Sequence, residues 1–160
     1  MSIRLHVVAG FIHRDICEKM VLHARAVTEE LDASIEQVTW IPGSLEAPFA
    51  VKEIIEHKHP DAVVVFGVQE RGKTKHGEVI AHQATSKLLD LQLAYRIPMA
   101  VAIIGPNATL IHAARKAKYA SQKAMRAVVH MVLLARELSS PNAFNHSDDA
   151  SSVDPSASSP

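Results

Sequence analysis

Six consecutive residues, Arg71-Gly72-Lys73-Thr74-Lys75-His76, put three cationic side chains, a hydroxyl, a glycine and a histidine in one segment. The segment follows the apolar run Ala62-Val63-Val64-Val65-Phe66-Gly67 and precedes a helical pattern. A strand end therefore hands a glycine turn to a helix start. Free N–H groups and the dipole of a helix start stabilise a phosphate dianion. His76 is of the type that titrates near neutrality and can move protons at the same edge. The segment is neither a GxxxxGK[ST] loop nor a GxGxxG fingerprint. On local grounds a polar loop that merely caps the helix stays open as the plainer alternative.

Three other positions invite chemistry. Arg115, in a helix after the fourth strand, carries a guanidinium suited to bidentate phosphate binding. Standing near Lys116 and Lys118, it could equally belong to a solvated face. Glu46 follows Pro42-Gly43-Ser44-Leu45 at a helix start. It could accept hydrogen bonds from a polyol, or simply be a carboxylate favoured by the dipole. Phe11, at the end of the first strand, could stack on a flat heterocycle or close the edge of the core. His76 and His82 are too far round the helix to share a ligand, and no nearby carboxylate completes a set, so no metal is expected.

The elements that must position these residues alternate. Ile3–Gly10, Ser34–Ile41, Ala62–Gly67 and Met99–Ile104 read as strands, with β-branched or continuous apolar runs. Asp15–Leu31, Glu46–His57, Gly77–Tyr95 and Thr109–Leu138 read as helices, the last with a break near Lys118-Tyr119. Gly105-Pro106-Asn107 reads as a turn entering that helix. Four strand–helix alternations imply an α/β fold, a parallel sheet covered by helices on both faces. Loops Gly10–His13, Pro42–Glu46, Gly67–His76 and Gly105–Thr109 then gather at the strand C-termini, where ligands bind.

The bulk properties narrow the classes. The chain has 160 residues and a formal net charge of zero, which suits one domain without a general pull toward nucleic acid or acidic membranes. Its one cysteine, Cys17, excludes a disulfide framework. No signal-like or membrane-spanning run stands out, so a cytoplasmic protein is expected. From Ser139 onward Ser, Asp, Pro and Ala predominate, and a disordered tail, 139–160, is expected after a domain of 1–138.

Together these segments resemble the 6,7-dimethyl-8-ribityllumazine synthase family, from about Leu5 to Leu138, most closely in its archaeal-type members. Ile41-Pro42-Gly43-Ser44-Leu45-Glu46-Ala47-Pro48 is similar to the family's V-P-G-[AS]-[FL]-E-x-P. Gly67 through His76 is similar to its G-x-x-x-x-G-x-T-x-H, and Arg115 and Lys123 fall at its arginine and lysine. The resemblance implies a flavodoxin-like three-layer α/β/α sandwich around a four-stranded parallel sheet. It implies a transferase of riboflavin biosynthesis that joins 5-amino-6-(D-ribitylamino)uracil to L-3,4-dihydroxy-2-butanone 4-phosphate, releasing phosphate and water without a cofactor. It also implies homopentamers with sites between subunits. Here a pentamer or a pair of pentamers is expected rather than a shell, because the family's glycine turn is absent around Lys118–Ser121.

By motif position, Arg115 would clamp the phosphate with the N–H groups of Lys73 and Thr74, and His76 would be the catalytic proton shuttle. Glu46 would hold ribityl hydroxyls beside the main chain of Ser44 and Leu45. Phe11 would stack on the pyrimidine, and Lys123 would reach in from the adjacent subunit. Gln69-Glu70 replaces an apolar pair that touches the heterocycle, and Val101 stands where many bacterial members carry phenylalanine. A flavin- or lumazine-binding protein with reduced catalysis on the same scaffold is the competing expectation.

Overall fold

A computed structural model describes residues 2–140. Four strands, β1 (Ile3–Gly10), β2 (Ala33–Ile41), β3 (Ala62–Glu70) and β4 (Met99–Ala108), alternate with four helices, α1 (Arg14–Thr28), α2 (Ala47–Lys58), α3 (His76–Tyr95) and α4 (Leu110–Leu138). All strand pairs are parallel, in the order β2-β1-β3-β4. The chain thus steps outward from β1 to β2, then back across β1 to β3. That reversal opens a crevice at the C-terminal ends of β1 and β3, the place where open α/β sheets bind ligands. The expected three-layer fold is the one observed.

Successive strand residues point to opposite faces, and the sequence fills both with aliphatic groups. Leu5, Val7, Ala9, Val64 and Phe66 meet Ile16 and Met20 of α1 and Ala113 and Met125 of α4 on one face. Val8, Val63 and Val65 meet Val51 and Ile54 of α2 and Leu88 of α3 on the other. Val63, Val64 and Val65 are at most 1% exposed, so β3 is buried on both faces, as its unbroken apolar run demands. Three connections turn through non-glycine residues in the left-handed region: Asp32 after the 3-10 turn Glu29–Leu31, His59 after α2 and Arg96 after α3. Pro60 and Pro98 follow closely and prevent helical continuation.

Four boundaries differ from the sequence reading. β3 runs on through Val68, Gln69 and Glu70, and β4 runs through Gly105-Pro106-Asn107 to Ala108. The register shifts between Val68 and Glu70, so that Glu70 opposes Ala108. The Arg71 N–H then donates to the Ala108 carbonyl at 2.9 Å. Pairing across the shift keeps both strands going where composition suggests turns. α1 ends at Thr28, its last expected turn tightening to the 3-10 geometry. α4 is unbroken over 29 residues, because the buried Ser121 hydroxyl donates back to the Ala117 carbonyl at 2.8 Å and adds no unpaired polar group. Of the expected tail, 139–160, all but Ser139 and Ser140 lies outside the described residues.

Candidate active site

A cleft of about 480 Å³ opens at the C-terminal ends of β1, β2 and β3. Its walls come from the loops after these strands and from the first turn of α3. The first two loops are tied together: the Phe11 N–H donates to the Ile41 carbonyl at 2.8 Å, and the Ile12 N–H to the Pro42 carbonyl at 3.3 Å. Gly43 is extended and starts a 3-10 turn, Ser44–Glu46, that leads into α2. The Glu46 carboxylate accepts the Gly43 N–H at 2.9 Å. Glu46 lines the cleft, and its second carboxylate oxygen keeps its acceptor capacity.

Ser44 is 8% exposed and forms part of the cleft wall. A Cβ on Gly67 would stand 2.9 Å from its Oγ, so the hydroxyl occupies space that only glycine leaves. Gln69 is held in a similar way from two sides. A Cβ on Gly77 would lie 2.8 Å from its amide nitrogen, and one on Gly105 would drive into its carbonyl oxygen. Gly105 has φ of +127°, a conformation open to glycine and strained for any other residue.

The opposite wall is electrostatic. α3 starts at His76 without a side-chain cap in the N-cap position. Thr74 Oγ1 approaches the His76 N–H at 3.4 Å, too long to satisfy that donor well. Thr74 and His76 both line the cleft. Beside it a hollow of about 330 Å³ is lined by Arg71, Lys73 and Lys75 together with Glu70, Glu78 and Asn107. The dipole and N–H groups of a helix start thus face the cleft, a setting that favours an anion. Across the cleft mouth, His13 Nε2 stands 3.8 Å from Glu70 Oε2.

Ser44, Leu45, Glu46, Gln69, Thr74 and His76 come together in this one cleft, and Lys73 borders the adjoining hollow. The other expected residues are placed elsewhere on the chain. Phe11 is 46% exposed, and its neighbours Ile12 and His13 line the cleft instead. Val101, on the edge strand β4, packs into the core under α2 and α3. Arg115 and Lys123 are exposed on α4, which covers the sheet face opposite to α3. Lys123 Nζ lies 6.0 Å from the Tyr119 ring centroid on its own helix. Sequence reasoning noted Glu70 only as half of the altered Gln69-Glu70 pair and did not single out His13. The signal available for His13 was its place in the loop after β1, since that loop had been assigned to the site.

Comparison with known proteins agrees with the two converging motifs. The sequence model of the 6,7-dimethyl-8-ribityllumazine synthase family matches residues 2–136. A protein of that name from Aeropyrum pernix is 37% identical over 143 residues, covering 86% of this chain and 95% of the relative. One from Methanoculleus marisnigri is 34% identical, covering 82% of this chain and 97% of its own length. One from Archaeoglobus fulgidus is also 34% identical, with 85% and 94% covered. A match spanning both motifs and every strand and helix of the fold shows that the chain belongs to the 6,7-dimethyl-8-ribityllumazine synthase family.

Proposed function

We propose that the chain condenses 5-amino-6-(D-ribitylamino)uracil with L-3,4-dihydroxy-2-butanone 4-phosphate. The observation that carries this reading is the meeting of the Pro42–Glu46 and Gly67–His76 segments in one cleft of a chain with this family membership. The 5-amino group adds to the ketone and loses water to give an imine. Phosphate then leaves, and ring closure with loss of a second water gives the lumazine. The phosphate sits on the N–H groups of Lys73 and Thr74 at the start of α3. His76, exposed at that edge, moves protons to and from the departing groups. Glu46 and the Ser44-Leu45 main chain hold the ribityl hydroxyls. Much of the acceleration comes from holding two small polar substrates in register, which needs no metal or cofactor.

Arg115, Lys123, Val101 and Phe11 complete the site from an adjacent copy or at its margin, and the working particle is a homopentamer. Two features support this. Arg115 and Lys123 are exposed on α4, which does not line the cleft of its own chain. Large apolar side chains stand in solvent on α2 and α3, with Phe49 72%, Val79 57% and Leu93 76% exposed, as expected of surfaces that pair in an oligomer. The compartment proposed is the cytoplasm, where the free thiol of Cys17 is at home.

Incubation of the purified protein with both substrates tests the reading. The expected result is lumazine fluorescence with one phosphate released per product. Tight riboflavin binding without turnover would instead favour a flavin- or lumazine-binding protein on this scaffold.

A further inference from the structure

The basic residues of α4 are partnered in two different ways. Arg126 and Arg136 pair with carboxylates across the fold, Arg126 with Glu30 at 2.9 Å and Arg136 with Asp61 at 3.6 Å. Arg115 and Lys123 are exposed, and among the described residues neither lies within ion-pair distance of a carboxylate. What stands beside Lys123 is an aromatic ring. Its Nζ lies 6.0 Å from the centroid of Tyr119, a side chain left 68% exposed. The chemistry above gives that ring no task.

The helix dictates this juxtaposition. Arg115, Tyr119 and Lys123 recur at every fourth residue, so they stand one above another on one face. Helical side chains lean toward the N-terminus, which carries the Lys123 stem back toward Tyr119. The alignment requires α4 to stay continuous here, as it does. The intervening Ser121 is buried, its hydroxyl bonded back to the Ala117 and Lys118 carbonyls at 2.8 and 3.0 Å. The turn between ring and ammonium therefore closes without a break.

An aromatic partner differs in kind from a carboxylate. A carboxylate would hold the lysine but cancel its charge and occupy its N–H donors, in competition with any anion. A ring face draws the ammonium through its quadrupole and, at this distance, leaves the N–H donors for an anion. It also narrows the rotamers of a long flexible side chain, so less freedom is lost when the anion is met. We propose that Tyr119 is a positioning residue that aims Lys123 at the phosphate of the butanone substrate in the cleft of the next copy. The phosphate is the one anionic group of the two substrates. The inference rests on the proposed function, which brings α4 of one copy to the cleft of another, and adds a residue to it.

The test is calorimetric binding of inorganic phosphate to the assembled protein, followed by KM for each substrate. Lys123→Met should weaken phosphate binding. Tyr119→Leu should weaken it about 3-fold, the scale of a cation–π contact at an exposed site, whereas Tyr119→Phe, which keeps the ring, should match the wild type. In a Lys123→Met background Tyr119→Leu should add nothing. KM for the butanone phosphate should follow the same order, with KM for the ribitylaminouracil and the native mass unchanged. Equal losses in Tyr119→Phe and Tyr119→Leu would overturn the proposal, since the hydroxyl would then be at work. So would a Tyr119→Leu loss that persists without Lys123, the mark of direct contact, or one that comes with a changed native mass, the mark of a structural role. Phosphate binding unaltered by Tyr119→Leu or by Lys123→Met would overturn it as well. Absence of turnover with this phosphate pattern intact would count against the proposed activity alone, because binding is read without either substrate.

Discussion

A histidine at an uncapped helix start, open to water, has what proton exchange beside a leaving phosphate needs. Replacing His76 by alanine should lower kcat by about 10-fold or more while leaving the fold intact; a pre-steady-state fluorescence assay measures it, and an unchanged kcat removes the residue from proton transfer. Arg115 makes a different demand. On the proposed function it clamps the phosphate, so Arg115→Ala should raise KM for the butanone phosphate by about 30-fold, near 2 kcal/mol for a lost charged hydrogen bond. An unaltered KM for that substrate would show the guanidinium to be elsewhere. Cys17 is the contrasting case of a residue built to be inert. It is 1% exposed, and burial pushes its thiol up to about 11, against a smaller opposing pull from the Gly10 backbone. The thiolate is the reactive form, so the native protein at pH 8 should label with a thiol reagent only as fast as it opens, and the denatured protein at once.

At the level of the elements, the sheet carries both the site and a pH-dependent weakness. His6, 3% exposed in β1, bonds Thr39 Oγ1 of β2 at 2.8 Å. Burial, helped by the nearby Lys58 charge, lowers its pKa below the ordinary 6.5, with Glu36 opposing. Between the folded and unfolded values the unfolded chain binds the extra proton, so stability rises with pH across that window. Chemical denaturation should show full stability above pH 6.5, the unfolded value, and a decline below it that His6→Gln reduces. The end of β4 supports the cleft through Gly105. A Cβ there meets the Gln69 carbonyl from a left-handed backbone. Gly105→Ala should therefore cost about 1–3 kcal/mol in denaturant unfolding and disturb the wall that carries Gln69. The strands and helices were legible from periodicity because each buries a continuous apolar face. The ends of β3 and β4 were not, since Gln69-Glu70 and Gly105-Pro106-Asn107 look like turn chemistry. Only their mutual pairing across the register shift, a long-range fact, makes them strand.

For the whole molecule, the proposed function asks one chain to supply half a site. The meeting of Glu46 and His76 in one cleft was legible because the motifs that carry them are contiguous and fall at strand ends that the topology brings together. How Arg115, Lys123 and Val101 relate to the cleft was not legible from local sequence, because none of them lines it within one chain. The exposed apolar faces of α2 and α3 agree with such a copy. The most direct test of this shared-site account is subunit complementation. His76→Ala and Arg115→Ala chains, each well below wild type when assayed with the butanone phosphate below its wild-type KM, are unfolded, mixed in equal amounts and refolded together. If each site takes His76 from one copy and Arg115 from its neighbour, random assembly restores both groups at about a quarter of the interfaces, and turnover should recover toward about that fraction of wild type. Mixed oligomers with no more activity than the two variants measured separately would contradict the account.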